Sequence, residues 1–307
     1  MKVLVIGAGA VGLYFSSRLA QSGAEVAVVA RRDYEVAVRQ GGFEITSDRG
    51  KFFFCPSEIL RAPGEYRDIA DCVIVASKLL PGVDRVAMLR ECVRDRHTAI
   101  MLIENGIGIE DEVAEAFPGN ELISTVAYIG GSRPAPGRVL QTGAEKLEFG
   151  LYPSGISPLM KELAALWENA GIHCTLKEEI SLTRWNKLLW NLPYNTVSVL
   201  SGGLDTREIC ADDELDALCF DLMLETVAVA NACNVPLTQK HAEAQRESTR
   251  NFPPFKTSML QDVLSHRHVE VEVILGNMLR LARQHNIATP KAQTCYALLR
   301  AFDKKIK

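Results

Sequence analysis

No run of about 18 apolar residues, the length that crosses a bilayer as a helix, occurs in the 307 residues of this chain. An ordinary membrane span is excluded on that ground. A block of like charge is missing too. The 34 Lys and Arg are interspersed with 38 Asp and Glu, for a formal net charge of −4. Composition therefore carries no footprint for nucleic acid or for an anionic membrane surface, although a local basic pocket for a small anion stays open. There is no C-x-x-C pair among the eight cysteines at 55, 72, 92, 174, 210, 219, 233 and 295. Most sit in apolar runs, as Cys72 does before Val73, Ile74 and Val75, which reads as reduced core thiols of a cytosolic protein. The histidines show no metal-ligand spacing: His266 and His268 lie two apart without a matching Cys/His pair, so no metal is expected. No internal repeat, low-complexity tract or signal peptide is evident. Met1-Lys2 leads straight into Val3-Leu4-Val5-Ile6 and glycine, so the fold is expected to start at once and the protein to be cytoplasmic.

What is present is ordinary globular material, 47% apolar and 23% charged, at a length that suits two domains. The first half alternates short β-branched runs with helical stretches. Strands are predicted at Val3–Ile6, Glu25–Val29, Cys72–Ala76, Ala99–Ile103 and Leu122–Ala127, with a helix over Val11–Gln21. Phe43–Ile45 and Lys51–Phe54 flank Ser47-Asp48-Arg49-Gly50, a hairpin pattern. Near-continuous apolar strands between helices imply a parallel sheet covered on both faces. From about residue 179 helical periodicity takes over, with helices predicted at Glu179–Leu200, Asp212–Cys233, Gln239–Thr249, Val269–His285 and Pro290–Lys304. Pro290 suits a first helical turn, and Asn286 a helix end. The expectation is an α/β Rossmann-type N-terminal domain with a parallel sheet over 1–178, followed by an all-helical C-terminal domain over 179–307.

Gly7-Ala8-Gly9-Ala10-Val11-Gly12 fits G-x-G-x-x-G between an apolar strand and a helix, the context that makes the pattern a dinucleotide fingerprint. Gly7 permits the tight turn, Gly9 lets the backbone approach a pyrophosphate, and Gly12 lets the helix pack close to the strand. The helix N-terminus offers N–H groups to phosphates. An acid at the end of the second strand would bond the ribose of NAD. Here Val26-Ala27-Val28-Val29-Ala30 runs into Arg31-Arg32, with Arg31 24 residues after Gly7. A guanidinium there grips a 2′-phosphate, so NADP(H) is the expected cofactor. Asp33 is the rival, since a shift of register would favour NAD. Arg32 reads as solvated, and Lys78 as a second cation near the adenosine phosphate.

Asn105-Gly106 follows a strand end, where ligands of open α/β sheets bind. Further on, Lys187, Asn191 and Asn195 fall at i, i+4 and i+8, one face of a helix otherwise rich in Trp185, Leu188, Leu189, Trp190 and Leu192. A cation and two amides in such company cost free energy unless they meet a ligand or each other. Pro193 removes a helical hydrogen bond between the two asparagines and predicts a kink. Asp262 alone reads as a helix cap, and Glu270, with Glu272 near it, as a surface acid.

Taken together, Gly7 to Gly12, the turn Glu104-Asn105-Gly106, Arg184-Trp185-x-Lys187 with Asn191 and Asn195, and Thr257-Ser258-Met259-Leu260-Gln261-Asp262 with Glu270 resemble the ketopantoate reductase (2-dehydropantoate 2-reductase) family over nearly the whole chain. The resemblance implies a two-domain NADPH-dependent oxidoreductase of pantothenate synthesis that reduces a small 2-oxo acid. It implies Lys187 as proton donor, with Asn105, Lys187, Asn191, Asn195 and Ser258 binding substrate. Asn105 would also touch cofactor, as would the Gly7–Gly12 turn. Gly130 would lie against the nicotinamide end, and Glu270 would bind cofactor. Two positions depart from the family pattern: Glu104 stands where glutamine is common, and Asp205 where some members have a substrate-contacting asparagine. With hydride reaching the ketone carbon, the Lys187 ammonium would stabilise the developing oxyanion and supply the proton. The alternatives are a paralogue acting on another 2-oxo acid or a branched oxo ester, and a non-catalytic NADP-binding regulator. The apolar helices of the second half suit an internal core or a partner surface equally, so a homodimer stays open.

Overall fold

The computed structural model describes residues 1–306. All its strands lie before residue 177. The chain runs β1 (Lys2–Ile6), α1 (Ala10–Gln21), β2 (Glu25–Val29), α2 (Tyr34–Gln40), β3 (Phe43–Ser47), β4 (Gly50–Phe54), β5 (Glu58–Leu60), β6 (Cys72–Val75), α3 (Arg85–Cys92), β7 (Ala99–Leu102), α4 (Asp111–Ala116), β8 (Leu122–Ser132), β9 (Arg138–Leu151), α5 (Pro158–Asn169) and β10 (His173–Leu176). Helices follow: α6 (Ile180–Leu200), α7 (Thr206–Ala211), α8 (Asp213–Ala232), α9 (Gln239–Arg250), α10 (Ser258–Leu264), α11 (Asn277–Gln284) after a π-helical turn at Glu272–Gly276, and α12 (Pro290–Asp303). Among the described residues no helix is long and apolar enough to cross a membrane.

The strands form one ten-stranded sheet in the order β4-β3-β9-β8-β7-β6-β1-β2-β5, with β10 beside β9. Its centre is parallel: β1 pairs with β2 and β6, β6 with β7, and β7 with β8. These are the buried apolar runs, Val3, Leu4 and Val5 being fully shielded. The expected parallel sheet is thus present, and the predicted hairpin pairs β3 with β4 antiparallel; what the sequence did not show is β9, which pairs antiparallel with β8. The reason is the connection. A parallel neighbour needs a long crossover, but only residues 133–137 link β8 to β9 and only Asp48 and Arg49 link β3 to β4. Trp167 of α5 anchors this core, donating to the Phe15 carbonyl at 2.9 Å and meeting the rings of Phe15 and Phe149 edge-on.

The chain divides into two compact units. The first holds Met1–Glu104 and Ile109–Ile180; the second holds Ser181–Lys307 together with Asn105–Gly108. In the second unit α6 is one helix that passes through Pro193 without a break. Helix caps set the other ends. Asp212 accepts from the Glu214 and Leu215 amides at the start of α8, Pro290 opens α12, and Asn286 takes a left-handed φ of 55° just past α11.

Candidate active site

In the first unit, β1 delivers the chain into the glycine turn. Gly7 has a φ of +120°, in the region that favours glycine, and a Cβ there would lie 2.7 Å from the Ala76 carbonyl carbon and the Ser77 nitrogen. A Cβ on Gly12 would lie 2.1 Å from the Gly7 carbonyl oxygen. That contact is what lets α1 sit so close to the strand. Gly9 differs. Only the Ala76 oxygen comes near its missing side chain, at 3.9 Å, so the space above it is open. Gly9 also starts α1 without any side-chain cap, and the first turn carries no acid. The turn Gly7, Ala8, Gly9, Ala10, Val11, Gly12 thus presents helix N–H groups that no side chain among the described residues caps.

Arg31 and Arg32 are exposed just past β2. Arg31 makes no hydrogen bond or ion pair among the described residues. Its rival Asp33 is buried, ion-paired with Arg133, and accepts from the Gly137 amide at 2.8 Å. Both of these contacts are internal and fall on Asp33 Oδ2. Lys78 lies exposed beyond β6. Gly130 sits at a register shift in β8, where a Cβ would lie 2.5 Å from the Thr142 carbonyl oxygen. Its neighbour Gly131 is the one that faces the glycine turn, a Cβ there lying 3.1 Å from that of Ala10.

In the second unit, Lys187 of α6 donates from Nζ to Asn105 Oδ1 at 3.0 Å. Three residues earlier on the same face, Arg184 donates from Nη1 to the Gly106 carbonyl at 3.0 Å. Burial lowers the Lys187 pKa from 10.5 to about 8; the like charge of Arg184 adds to the fall and Glu270 opposes it. Glu270 is therefore close enough to act on the amine, and it is half-buried rather than a surface acid. One turn on, Asn191 is 7% exposed and its amide makes no hydrogen bond among the described residues. Asn195 has another task. Its Oδ1 accepts from the Met259 amide at 3.2 Å and from Ser258 Oγ at 3.4 Å, which caps α10. Asp262 is inside α10 and bonds Arg267 at 3.1 Å, so the cap expected of it is supplied by Thr257 and Asn195.

Two family descriptions fit this chain: "Ketopantoate reductase PanE/ApbA" over residues 3–154 and "Ketopantoate reductase PanE/ApbA C terminal" over 179–303. The crystal structure of 2-dehydropantoate 2-reductase from Methylococcus capsulatus is 42% identical, covers 100% of this chain and 98% of its own, and superposes with a TM-score of 0.92. This chain belongs to the ketopantoate reductase family. The corresponding crystal structure from Geobacter metallireducens is 30% identical over 98% of this chain and 100% of its own, with a TM-score of 0.91. The 2-dehydropantoate 2-reductase of Nostoc sp. is 29% identical over 98% of this chain and 95% of its own. The chain is accordingly an oxidoreductase that acts on a ketone and takes a nicotinamide cofactor on its Rossmann-type unit.

Both departures from the ketopantoate reductase pattern have structural partners. Glu104 Oε2 meets Arg85 Nη1 at 2.5 Å, with both side chains essentially shielded from solvent. Arg85 also bonds Glu112 and the Ile109 carbonyl. Asp205 caps α7, accepting from the Arg207 and Glu208 amides while Glu208 returns a bond to the Asp205 amide. Sequence reasoning passed over Arg85, Arg133 and the role of Arg184. Each looks like a surface arginine until its distant partner is known, and only Arg184, in the apolar stretch of α6, carried a local signal.

Proposed function

We propose that this chain is an NADPH-dependent reductase of 2-dehydropantoate (ketopantoate), giving pantoate for pantothenate synthesis, with Lys187 as proton donor. The observation that carries the reading is Lys187 itself: an amine of pKa about 8, held by a neutral amide one helical turn before a buried Asn191 whose amide makes no hydrogen bond among the described residues. A cytosolic enzyme with that amine keeps most of it protonated near neutral pH yet releases the proton readily. As carbonyl charge develops, the ammonium stabilises the oxygen and passes it a proton from Nζ. Asn105 fixes the direction of the ammonium. Asn191 offers both an N–H donor and a carbonyl acceptor to the substrate carboxylate and hydroxyl. Asn195 contributes its remaining N–H and orders the Ser258 hydroxyl.

The first unit, 1–178 in the division proposed from sequence, is assigned the cofactor. NADPH bound there would supply the hydride. The fit rests on the open space above Gly9, the uncapped α1 N-terminus, and the unpaired Arg31. The engagement of Asp33 with Arg133 and Gly137 supports a 2′-phosphate contact at Arg31 over ribose recognition by Asp33. Lys78, Gly130 and Glu270 remain proposed cofactor contacts. Substrate and acid are assigned to the second unit. Because Glu104 and Asp205 already have internal partners, their departure from the family pattern does not argue for a different oxo acid.

The test is NADPH oxidation with ketopantoate against a panel of 2-oxo acids. Ketopantoate is expected to give the highest kcat/KM. A higher value for another acid overturns the substrate, and no oxidation with any acid overturns the reductase reading.

A further inference from the structure

We propose that Arg184 is a positioning residue for this reaction: its guanidinium, anchored on the Gly106 carbonyl, holds the Asn105–Gly106 turn so that the Asn105 amide keeps the Lys187 ammonium in line. The proposal rests on the reading of Lys187 as proton donor.

Four residues, Asn105–Gly108, carry no regular secondary structure. A loop without a ladder keeps its shape through individual bonds. Four are present. Lys187 Nζ reaches Asn105 Oδ1 at 3.0 Å, Arg184 Nη1 reaches the Gly106 oxygen at 3.0 Å, the Ile107 amide reaches the Val273 oxygen at 3.4 Å, and Asn277 Nδ2 reaches the Ile107 oxygen at 2.7 Å. Arg184 holds the carbonyl immediately after Asn105, so it governs the residue that faces the acid. Gly106 cannot drift the other way. Its φ is +96°, and even a Cβ there would lie 2.3 Å from the Val273 oxygen. Val273 belongs to the π-helical turn, a helix insertion found often at functional sites.

Arg184 is 6% exposed. A buried guanidinium costs free energy unless it is well partnered, so its placement one turn before Lys187 is an arrangement rather than a solvated accident. Positions i and i+3 share a helix face, and both side chains converge on one turn. The charge has a second effect. It opposes protonation of Lys187, while Glu270, from the segment before the π turn, favours it. Among the described residues these are the two charges that shift the amine, and the 105–108 turn brings no ionisable side chain. Arg184 therefore acts by anchoring and by field, and the two are separable.

The experiment compares the parent with Arg184→Met and Arg184→Lys by steady-state kinetics, thermal unfolding and competitive acetylation of Lys187 followed by peptide mass spectrometry. The acetylation midpoint reports the amine directly, whether or not turnover depends on it. In Arg184→Met, kcat is expected to fall roughly tenfold to hundredfold, the scale of a hydrogen bond to a charged group, with KM much less changed. The Lys187 midpoint is expected to rise. Arg184→Lys is expected to restore the midpoint and recover only part of kcat. An unmoved midpoint in Arg184→Met overturns the proposal, and a fall in kcat and melting temperature alone then marks a structural arginine. A raised midpoint with parental kcat overturns it as well. Should Arg184→Met not fold, Arg184→Lys decides: reduced kcat at a parental midpoint supports anchoring, and parental kcat overturns it. Lys187→Ala run in parallel isolates the underlying reading, because retained turnover there defeats the proton donor without touching the acetylation result.

Discussion

Glu104 and Asn105 are chain neighbours, and each receives a cation, a buried one at Glu104 and a half-buried one at Asn105. Glu104 meets Arg85 in the first unit, where Glu112 and the Ile109 carbonyl complete the partners of the guanidinium. Burial works against that charge, but the two carboxylates outweigh it and hold the Arg85 pKa above its ordinary value. Asn105 meets Lys187 in the second unit with a neutral carbonyl, and the nearest charges, Arg184 and Glu270, pull in opposite directions. There burial wins, and the amine falls to about 8. Depth alone does not tell a clamp from an acid. A carboxylate partner locks the proton on; an amide partner aims it and leaves it transferable.

The largest expected effect tests the transferable side. Lys187→Ala should lose kcat by on the order of 10² to 10⁴, the worth of a positioned general acid, while NADPH affinity measured by fluorescence titration is kept. In the parent, the acid must be protonated, so kcat/KM for ketone reduction should fall as pH rises through about 8. A profile flat to pH 10 would remove Lys187 from the role. The locked side is next. Glu104→Ala strands the Arg85 charge and should destabilise the protein by about 3–5 kcal/mol in urea unfolding; a loss below about 1 kcal/mol would mean that water or Glu112 suffices and the contrast collapses. Arg31 supplies the third kind of cation, exposed and unpaired. Arg31→Ala should weaken NADPH binding by about 1.5–3 kcal/mol and leave NADH nearly unchanged, and equal losses for both would contradict a 2′-phosphate contact. The smallest effect belongs to a half-buried capping carboxylate. Asp205→Ala should cost about 1 kcal/mol as a lost cap, with KM for the oxo acid unchanged; a raised KM would return Asp205 to the substrate.

The strand-turn-helix at the N-terminus was legible because its constraints are local. An apolar run, three glycines and a helical repeat are contiguous, and the steric reason for Gly12 lies at the Gly7 carbonyl, although that for Gly7 lies just past β6 at Ala76 and Ser77. The lysine-and-amide face of α6 was legible by period alone. Its differentiation was not, because the partners are remote: Asn105 is 82 residues from Lys187, and Met259 is 64 from Asn195. Asp33 could be named as a rival to Arg31, but its partner amide at Gly137 is 104 residues away. β9 escaped notice for a different reason. Thr142-Gly143-Ala144-Glu145-Lys146 interrupts its apolar alternation beside the register shift in β8, so neither the strand nor the antiparallel side of the sheet left a clean period of two. The short helices α7 and α10 depend on caps rather than on repeats.

The second unit is discontinuous in the gene. Asn105–Gly108 are encoded far upstream of the rest of it, yet they supply the acceptor for Lys187 and the carbonyls held by Arg184 and Asn277. A fragment beginning at residue 179 would carry the acid without its aiming amide. For the same reason, exchanging C-terminal halves between relatives at that boundary transplants Lys187 onto a foreign Asn105 turn. Recombination is therefore expected to be tolerated only between parents whose turn and whose α6 arginine have changed together, which makes residues 105–108 and 184 a compatibility tag for chimeras.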